Sequence, residues 1–405
     1  VAEQGSHSAA LPVSPPTPPG PPTPARRKFK LIVSDFHLGK GRYFRDGTQN
    51  ILEDFIYDRE FAEFLNYHRS GAFADADVEL ILNGDILNLL QMDTWGVFTH
   101  LITERSVVRA VERIIAGHSE FFQALRRFAS TPGHSISYIV GNHDAGMLFP
   151  GPRKTFSDAC GTQVVFHDVS YRFDSVHVEH GQQYERFARI DMDRPFITRR
   201  LPEPVLNLPW GSLFVAVMLP KIKQERPHVD KVRPMGAFMV WVFIHDLWWG
   251  IKTAISILRF VLDTVLLKRR YQINQGVGAT FALLKEITLY PNFDKIAFKI
   301  LDESDDIYTV IFGHTHLLRY RQWREGKEYF NEGTWNETTN LDLDDYGRSI
   351  RLTYAFVEYP VPGEVTTESA LEKPSLKIEK RQSARPKVRI KQWNGAWKPE
   401  SEVLI

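Results

Sequence analysis

The chain has 405 residues, 43% hydrophobic and 24% charged, which can bury a sizeable core and excludes wholesale disorder or a fibrous fold. Fifty Lys and Arg against 49 Asp and Glu create no global field toward nucleic acid, so no nucleic-acid partner is expected. The single cysteine, Cys160, excludes an internal disulfide and a cysteine-built zinc site, and suits a reducing, cytoplasmic compartment.

Residues 1–10 lack the basic and apolar regions of a secretory signal, and LPVSPPTPPGPPTPARRK after them is too rich in proline for helix or sheet. Residues 1–28 therefore read as a disordered, polyproline-like arm. From Phe29, FKLIVSD reads as a buried strand ending at a carboxylate. Helical periodicity follows over 50–68, a second strand, VELILNGD, over 78–85, and a long helical pattern over 100–129. SISYIVGNHD at 135–144 is a third strand, and QVVFHD, YRFD and VHVEHG at 163–181 read as antiparallel strands. IYTVIFGHTH at 307–316 is an apolar strand ending in histidines, followed by short strands in LRYRQW, KEYFNEG and IRLTYAFVEY. The order is β-α-β-α-β, a run of strands, a long insertion and a β-rich return. Residues 362–405 read as a basic polar tail, with nine Lys or Arg and one Glu between 373 and 398, solvated or set against an anionic surface.

The polar residues after the strands form one set. They are Asp35 and His37 in SDFHLG, Asp85 in NGD, Asn142 and His143 in GNHD, His180 in EHG, and His314 and His316 in GHTH. Ligands of open α/β sheets gather beyond the carboxyl ends of strands. In extended chain, residues i and i+2 point the same way, so Asp35 and His37 can face one metal, and so can His314 and His316. Carboxylate, amide and imidazole donors without thiolate suit Mn, Fe or Zn. The donors are too many for one ion and about right for two, with Asp85 the natural bridge. Two such ions can activate water and stabilise the attacking and leaving oxygens of phosphoryl transfer.

These blocks resemble the calcineurin-like metallophosphoesterases, whose pattern is D-x-H, GD, GNH[DE], H-G and GHTH. The motifs run from Asp35 to His316. The resemblance implies a four-layer α/β/β/α sandwich built from 29–185 and 291–361. It also implies that Asp35, His37 and His316 serve the first metal, that Asp85 bridges, and that Asn142, His180 and His314 hold the second. His143 would contact the phosphate and protonate the leaving oxygen. NEGTW at 331–335 is similar to the N-x-G-S/T-W element that often follows GHTH. There are two departures. Asn88 stands where many members carry an acid that orients the catalytic histidine, so either His143 is a weaker acid–base group or Asp144 compensates. Gln182 follows H-G, where His or Asp is commoner.

The insertion, 186–290, separates the two second-metal histidines. It holds an apolar run at 205–220, interrupted by Pro209, and a longer one at 235–270 carrying His245, Asp246, Lys252, Arg259 and Asp263. The first is short for a membrane span and the second too charged. Trp241, Trp248 and Trp249 with basic margins suit helices lying on a membrane surface as a lid; a helical subdomain packed on the core is the other reading. The placement resembles the helical insertion of UDP-diacylglucosamine pyrophosphatases. The sequence thus points to a hydrolase of phosphate esters or pyrophosphates using two divalent ions, Mn first, acting on a lipid-linked substrate at the cytoplasmic membrane face. A soluble phosphomono- or phosphodiesterase and a catalytically idle membrane-peripheral scaffold are the alternatives.

Overall fold

β1 (Lys28–Val33), β2 (Asp77–Asn83), β3 (His134–Ile139) and β4 (Val165–His167) run parallel. Such strands are apolar on both faces because both are covered: Leu31 and Val33 face one core and Ile32 the other. A computed structural model describes residues 26–93, 96–233, 235–266, 292–341, 347–360 and 385–403. Residues 1–25 of the expected arm lie outside these, and Arg26 and Arg27 lead straight into β1.

Helices α1 (Asp58–Tyr67), α2 (Glu104–Gly117), α3 (Ser119–Ala129) and α4 (Pro150–Cys160) cover one face of this sheet through Phe61, Phe64, Val111, Phe121, Phe128 and Phe156. The helical pattern over 100–129 is two helices, not one. At Gly117 the chain passes against Lys40, whose carbonyl oxygen would lie 2.2 Å from a Cβ there. The periodicity over 50–68 yields a helix only from Asp58; residues before it form a loop carrying Asn50, Glu53 and Asp54.

The strands at 163–181 do not form one antiparallel group. β4 stays in the first sheet, while β5 (Ser170–Phe173) and β6 (Val176–Glu179) pair as a hairpin in a second. Asp168 and Val169 carry the chain between sheets, a crossing that strand periodicity does not reveal. After the insertion, α9 (Phe293–Asp302) leads to β10 (Thr309–Phe312), β11 (Leu318–Gln322) and β12 (Glu328–Glu332). The second sheet has the order β11-β12-β10-β6-β5. Val176, Val178, Ile311 and Phe330 meet Ile32, Ile81 and Ile139 between the sheets, and α9 covers the outer face with Phe293, Ala297 and Leu301. The layers are α/β/β/α.

The insertion contains β7 (Phe196–Ile197), β8 (Val205–Leu206), α5 (Trp210–Val217), α6 (Leu219–Glu225), β9 (Val232–Arg233), α7 (Met235–His245) and α8 (Leu247–Leu266). Residues 267–291 lie outside the described chain. β9 pairs with β13 (Thr338–Asn340), which also pairs with β14 (Gly347–Ser349).

The basic polar tail is corrected over its described part. β15 (Thr353–Glu358), β16 (Lys387–Trp393) and β17 (Glu400–Glu402) extend the first sheet beyond β1. Along β16 the positive charges alternate with Val388 and Ile390, which are buried between the sheets. Lys391 meets Glu400 at 2.9 Å, and Arg389 meets Glu358 at 3.1 Å and Glu402 at 3.2 Å. The charge count hides a two-residue period. Residues 362–384, 404 and 405 of that tail are not described.

Candidate metal centre

β1 runs out into Ser34–Asp35–Phe36–His37, β2 into Gly84–Asp85, β3 into Gly141–Asn142–His143, β6 into His180, and β10 into Gly313–His314–Thr315–His316. Asp35, His37, Asp85, His314 and His316 all have φ between 52° and 67°, five of eight described non-glycine residues with positive φ. Left-handed backbone costs on the order of 1–3 kcal/mol at such residues and persists only where the surroundings hold it. So the D-x-H and H-x-H pairs are not on extended chain. Turns, not strand alternation, bring their members together. Glycine is required beside them: a Cβ on Gly141 would lie 2.3 Å from Asp85 Oδ1, and one on Gly84 2.5 Å from the His180 ring.

Asp35 Oδ1 lies 3.2 Å from His316 Nε2 and 3.8 Å from His37 Nε2. Asp85 Oδ2 lies 3.2 Å from His180 Nε2 and 3.9 Å from His37 Nε2. Among the described residues, three groups have all candidate ligand atoms within 4.8 Å of one another: Asp35 with His37 and His316, Asp85 with His37 and His143, and Asp85 with His180 and His314. Asp85 stands where a carboxylate shared by two cations would be.

The donors fit such ions. Asp35 Oδ1, His180 Nε2 and Asn142 Oδ1 are buried without a hydrogen-bond partner, an arrangement native proteins avoid unless something else satisfies the atom. Their neighbouring atoms are fully engaged. Ser34 Oγ and the His314 amide donate to Asp35 Oδ2 at 2.6 and 3.0 Å. His180 Nδ1 donates to the Asn83 carbonyl at 2.9 Å, which leaves the Nε2 lone pair toward the carboxylates. Burial opposes charge on Asp35 and Asp85, yet the surrounding imidazoles hold both carboxyls well below their usual range. Burial likewise opposes charge on His180, but Asp85 and Asp35 push it up to about 10. A divalent cation would displace that proton.

His143 donates its backbone N–H to Asp85 Oδ1 at 2.7 Å, and its Nδ1 lies 3.0 Å from Asn88 Oδ1. An amide oxygen only accepts, so Nδ1 carries the proton and Nε2 is the free nitrogen of the neutral ring. Burial lowers the His143 pKa; Asp85 pulls it up, and His37, His316 and His314 push it down, to about 3.

Asp144 does not compensate for Asn88. It is wholly buried and accepts from the amides of Ile86 and Gly141 at 3.0 and 2.5 Å and from the Tyr138 hydroxyl at 2.5 Å. It ties the β2 and β3 turns together from behind, and its oxygens are taken up there. Gln182 similarly braces the β3 end, donating to the Val140 carbonyl at 3.0 Å.

Other contributors carry weaker signals in the sequence or none. Glu185 Oε2 lies 2.8 Å from His314 Nε2 and lines the cavity, with no spacing signal in the sequence to mark it. Thr334 and Asn336 both donate to the Asp35 carbonyl, at 2.7 and 3.1 Å, and Asn331 donates to the Gly313 carbonyl at 2.6 Å. The NEGTW element therefore holds two of the turns, and that motif was the available signal. The cavity, about 240 Å³, is walled on one side by His37, Asp85, Asn142, His314 and His316 and on the other by Phe187, Ala188, Val215 and Leu219 of the insertion.

No protein-family model matches the chain, and no curated protein matches it. Among solved structures it is similar to a predicted phosphoesterase from Streptococcus pneumoniae (9% identity, 94% of this chain and 98% of the other, TM-score 0.30). It is also similar to a dimetal phosphatase from Danio rerio (9%, 83% and 96%, 0.33) and to a calcineurin-like phosphoesterase from Bacillus subtilis (12%, 90% and 90%, 0.31). These likenesses are weak, and the chemistry below rests on the side chains.

Proposed function

We propose that this chain is a hydrolase of phosphate esters that works with two divalent cations. The observation that carries this reading is Asp85 placed between two clusters of donors whose unpaired atoms, Asp35 Oδ1 and His180 Nε2, are 4.0 Å apart. Asp35, His37 and His316 would hold one cation, Asn142, His180 and His314 the other, and Asp85 both. Cations bound there supply positive charge to phosphoryl oxygens and lower the pKa of water. The donor chemistry suits Mn, Fe or Zn, with Mn preferred. His143, held by Asn88, presents Nε2 to the cavity, contacts the phosphate and gives a proton to the leaving oxygen. The anionic phosphate raises the pKa of a ring that is otherwise neutral.

Metal analysis and turnover of an aryl phosphate by wild type and Asp85→Asn test this. The variant should lose metal and turnover together; retention of two metals with near-normal activity would overturn the dinuclear reading. A catalytically idle scaffold would bind metal without any turnover.

For the substrate we favour a phosphate ester linked to lipid. Two observations support it. The insertion sets apolar side chains opposite the metal ligands, and α7 and α8 leave Val240, Ile244, Trp248 and Leu258 60%, 68%, 83% and 57% exposed. No helix among the described residues is long and apolar enough to cross a membrane. A helix pair lying on the surface agrees with that. A soluble nucleotide or phosphoprotein substrate is the rival, separated by vesicle flotation.

A further inference from the structure

The insertion brings an ion cluster to the cavity wall. Lys223 on α6 is wholly buried, with its ammonium 2.9 and 2.7 Å from the two Asp54 oxygens and 2.7 Å from Asp230. Lys231, just before β9, lies 3.4 Å from Asp54 and is partly exposed to the same cavity. Burial opposes charge on Asp54, but Lys223 and Lys231 hold its carboxyl down to about 2. Asp54 and His37 line the same cavity. Backbone pairing fixes the lysine in place: its carbonyl accepts from Thr339 N at 2.9 Å, and β9 follows in register with β13.

Lys231 is the only lysine or arginine among the described residues lining the cavity. Acids on that wall have nearer partners than Lys231 offers. Asp54 and Asp230 are held by Lys223, Glu337 by Arg348 at 3.1 Å and Glu185 by His314 at 2.8 Å. Removing Lys231 from Asp54 leaves that carboxylate with its two-oxygen contact to Lys223. Lys231 makes the longest of these contacts to Asp54 and, unlike Lys223, is partly exposed to the cavity, so beside the candidate metal ligands it is placed to take an anion.

We propose that Lys231 is a specificity-determining residue that binds a second phosphoryl group of the substrate, so that the preferred substrate carries two phosphates. This rests on the phosphoesterase reading for its first phosphoryl group and adds a cation for the second. Lys223 offsets one of the two charges of Asp54 and Asp230 and Lys231 the other, so the buried cluster positions Lys231 at the wall and leaves no net charge of its own beside it. A lysine, unlike a divalent ion, supplies a compact charge with three donors and no Lewis acidity, so it holds the group without taking part in bond cleavage.

The test titrates the Mn-loaded full chain, by calorimetry, with methylenediphosphonate, 1,3-propanediphosphonate and methylphosphonate. Wild type should bind one of the two-phosphonate probes at least about tenfold more tightly than methylphosphonate, as expected of a charge-assisted contact. Lys231→Met, with equal metal content, should lose most of that advantage, Lys231→Arg should restore it, and kcat for an aryl monophosphate should be unchanged in both. The same advantage in Lys231→Met, or none in wild type, overturns the proposal. Absence of metal-dependent aryl phosphate turnover would instead overturn the phosphoesterase reading, and the titration would still decide the role of Lys231. Because Lys231 holds its strand through its backbone, Lys231→Met should still fold, with a loss of thermal stability limited to its 3.4 Å contact with Asp54; an unfolded Lys231→Met together with an unrestored Lys231→Arg would mark the residue as structural and sink the idea.

Discussion

At Asn88 one amide oxygen decides which nitrogen of His143 faces the cavity. Replacing it by aspartate keeps the geometry and adds a charge that favours the imidazolium, raising the His143 pKa by about 1–2 units. With His143 as the proton donor, the alkaline limb of the rate–pH profile of Asn88→Asp should move upward by a similar amount at unchanged metal content. A superimposable profile would remove His143 from that role. A second residue acts through stability. His118 lies between Asp58 at 2.9 Å and Glu53 at 3.4 Å, and Glu53 accepts from the amides of Gly39 and Gly41 in the loop after His37. Burial opposes its charge, but the two acids push it from 6.5 to about 9. A raised folded pKa gives stability that is complete below pH 6.5 and lost as pH rises through 9, worth on the order of 3 kcal/mol. Urea denaturation of wild type against His118→Gln should show a difference that shrinks across that window; a difference independent of pH would show His118 to be neutral in the fold. The residues of the candidate metal centre could be picked out one by one because each motif is short and follows a strand. Asp144, Glu185 and His118 were misplaced or missed because their roles are set by partners 58, 129 and 60 positions away.

The elements of the insertion divide between the two readings its sequence allowed. α5 belongs to the main core: Trp210, Leu213 and Ala216 are buried there, and Trp210 Nε1 donates to Thr264 Oγ1 at 3.0 Å. α7 and α8 carry the exposed apolar side chains. The three tryptophans are not equivalent, since Trp249 is buried with Ile222, Val229 and Val242 and donates to Glu225 at 3.0 Å, while Trp241 and Trp248 are exposed. Trp241→Ser with Trp248→Ser should therefore weaken flotation with anionic vesicles several-fold while leaving thermal stability and aryl phosphate turnover near wild type. Vesicle binding unchanged in the double variant, or absent in wild type, would remove the membrane from the reading. A hydrophobic run by itself could not separate these helices, because burial of one face is decided by what the chain packs beside it.

For the whole molecule, the first sheet is closed by chain from its far end. Val388, Ile390 and Trp393 of β16 are buried, and β16 pairs with β15 over six residues. Ending the chain after residue 384 should cost on the order of 5 kcal/mol from these three side chains alone. Thermal unfolding should show it as a large drop in Tm or loss of folded protein; an unaltered Tm would mean the edge strands are dispensable.

By itself the sequence determined the strand-ending motifs, their order, and the donor types, since short-range chemistry and apolar runs survive in one dimension. It also determined the sandwich, by the resemblance those motifs carry. Only the tertiary structure decided that the described part of the tail supplies two strands, that β4 and β5 lie in different sheets, that Asp144 turns away from His143, and that Lys231 reaches the cavity. Each of these depends on a contact between residues far apart in the chain, whose energy comes from burial and charge pairing that exist only once both partners have been brought together.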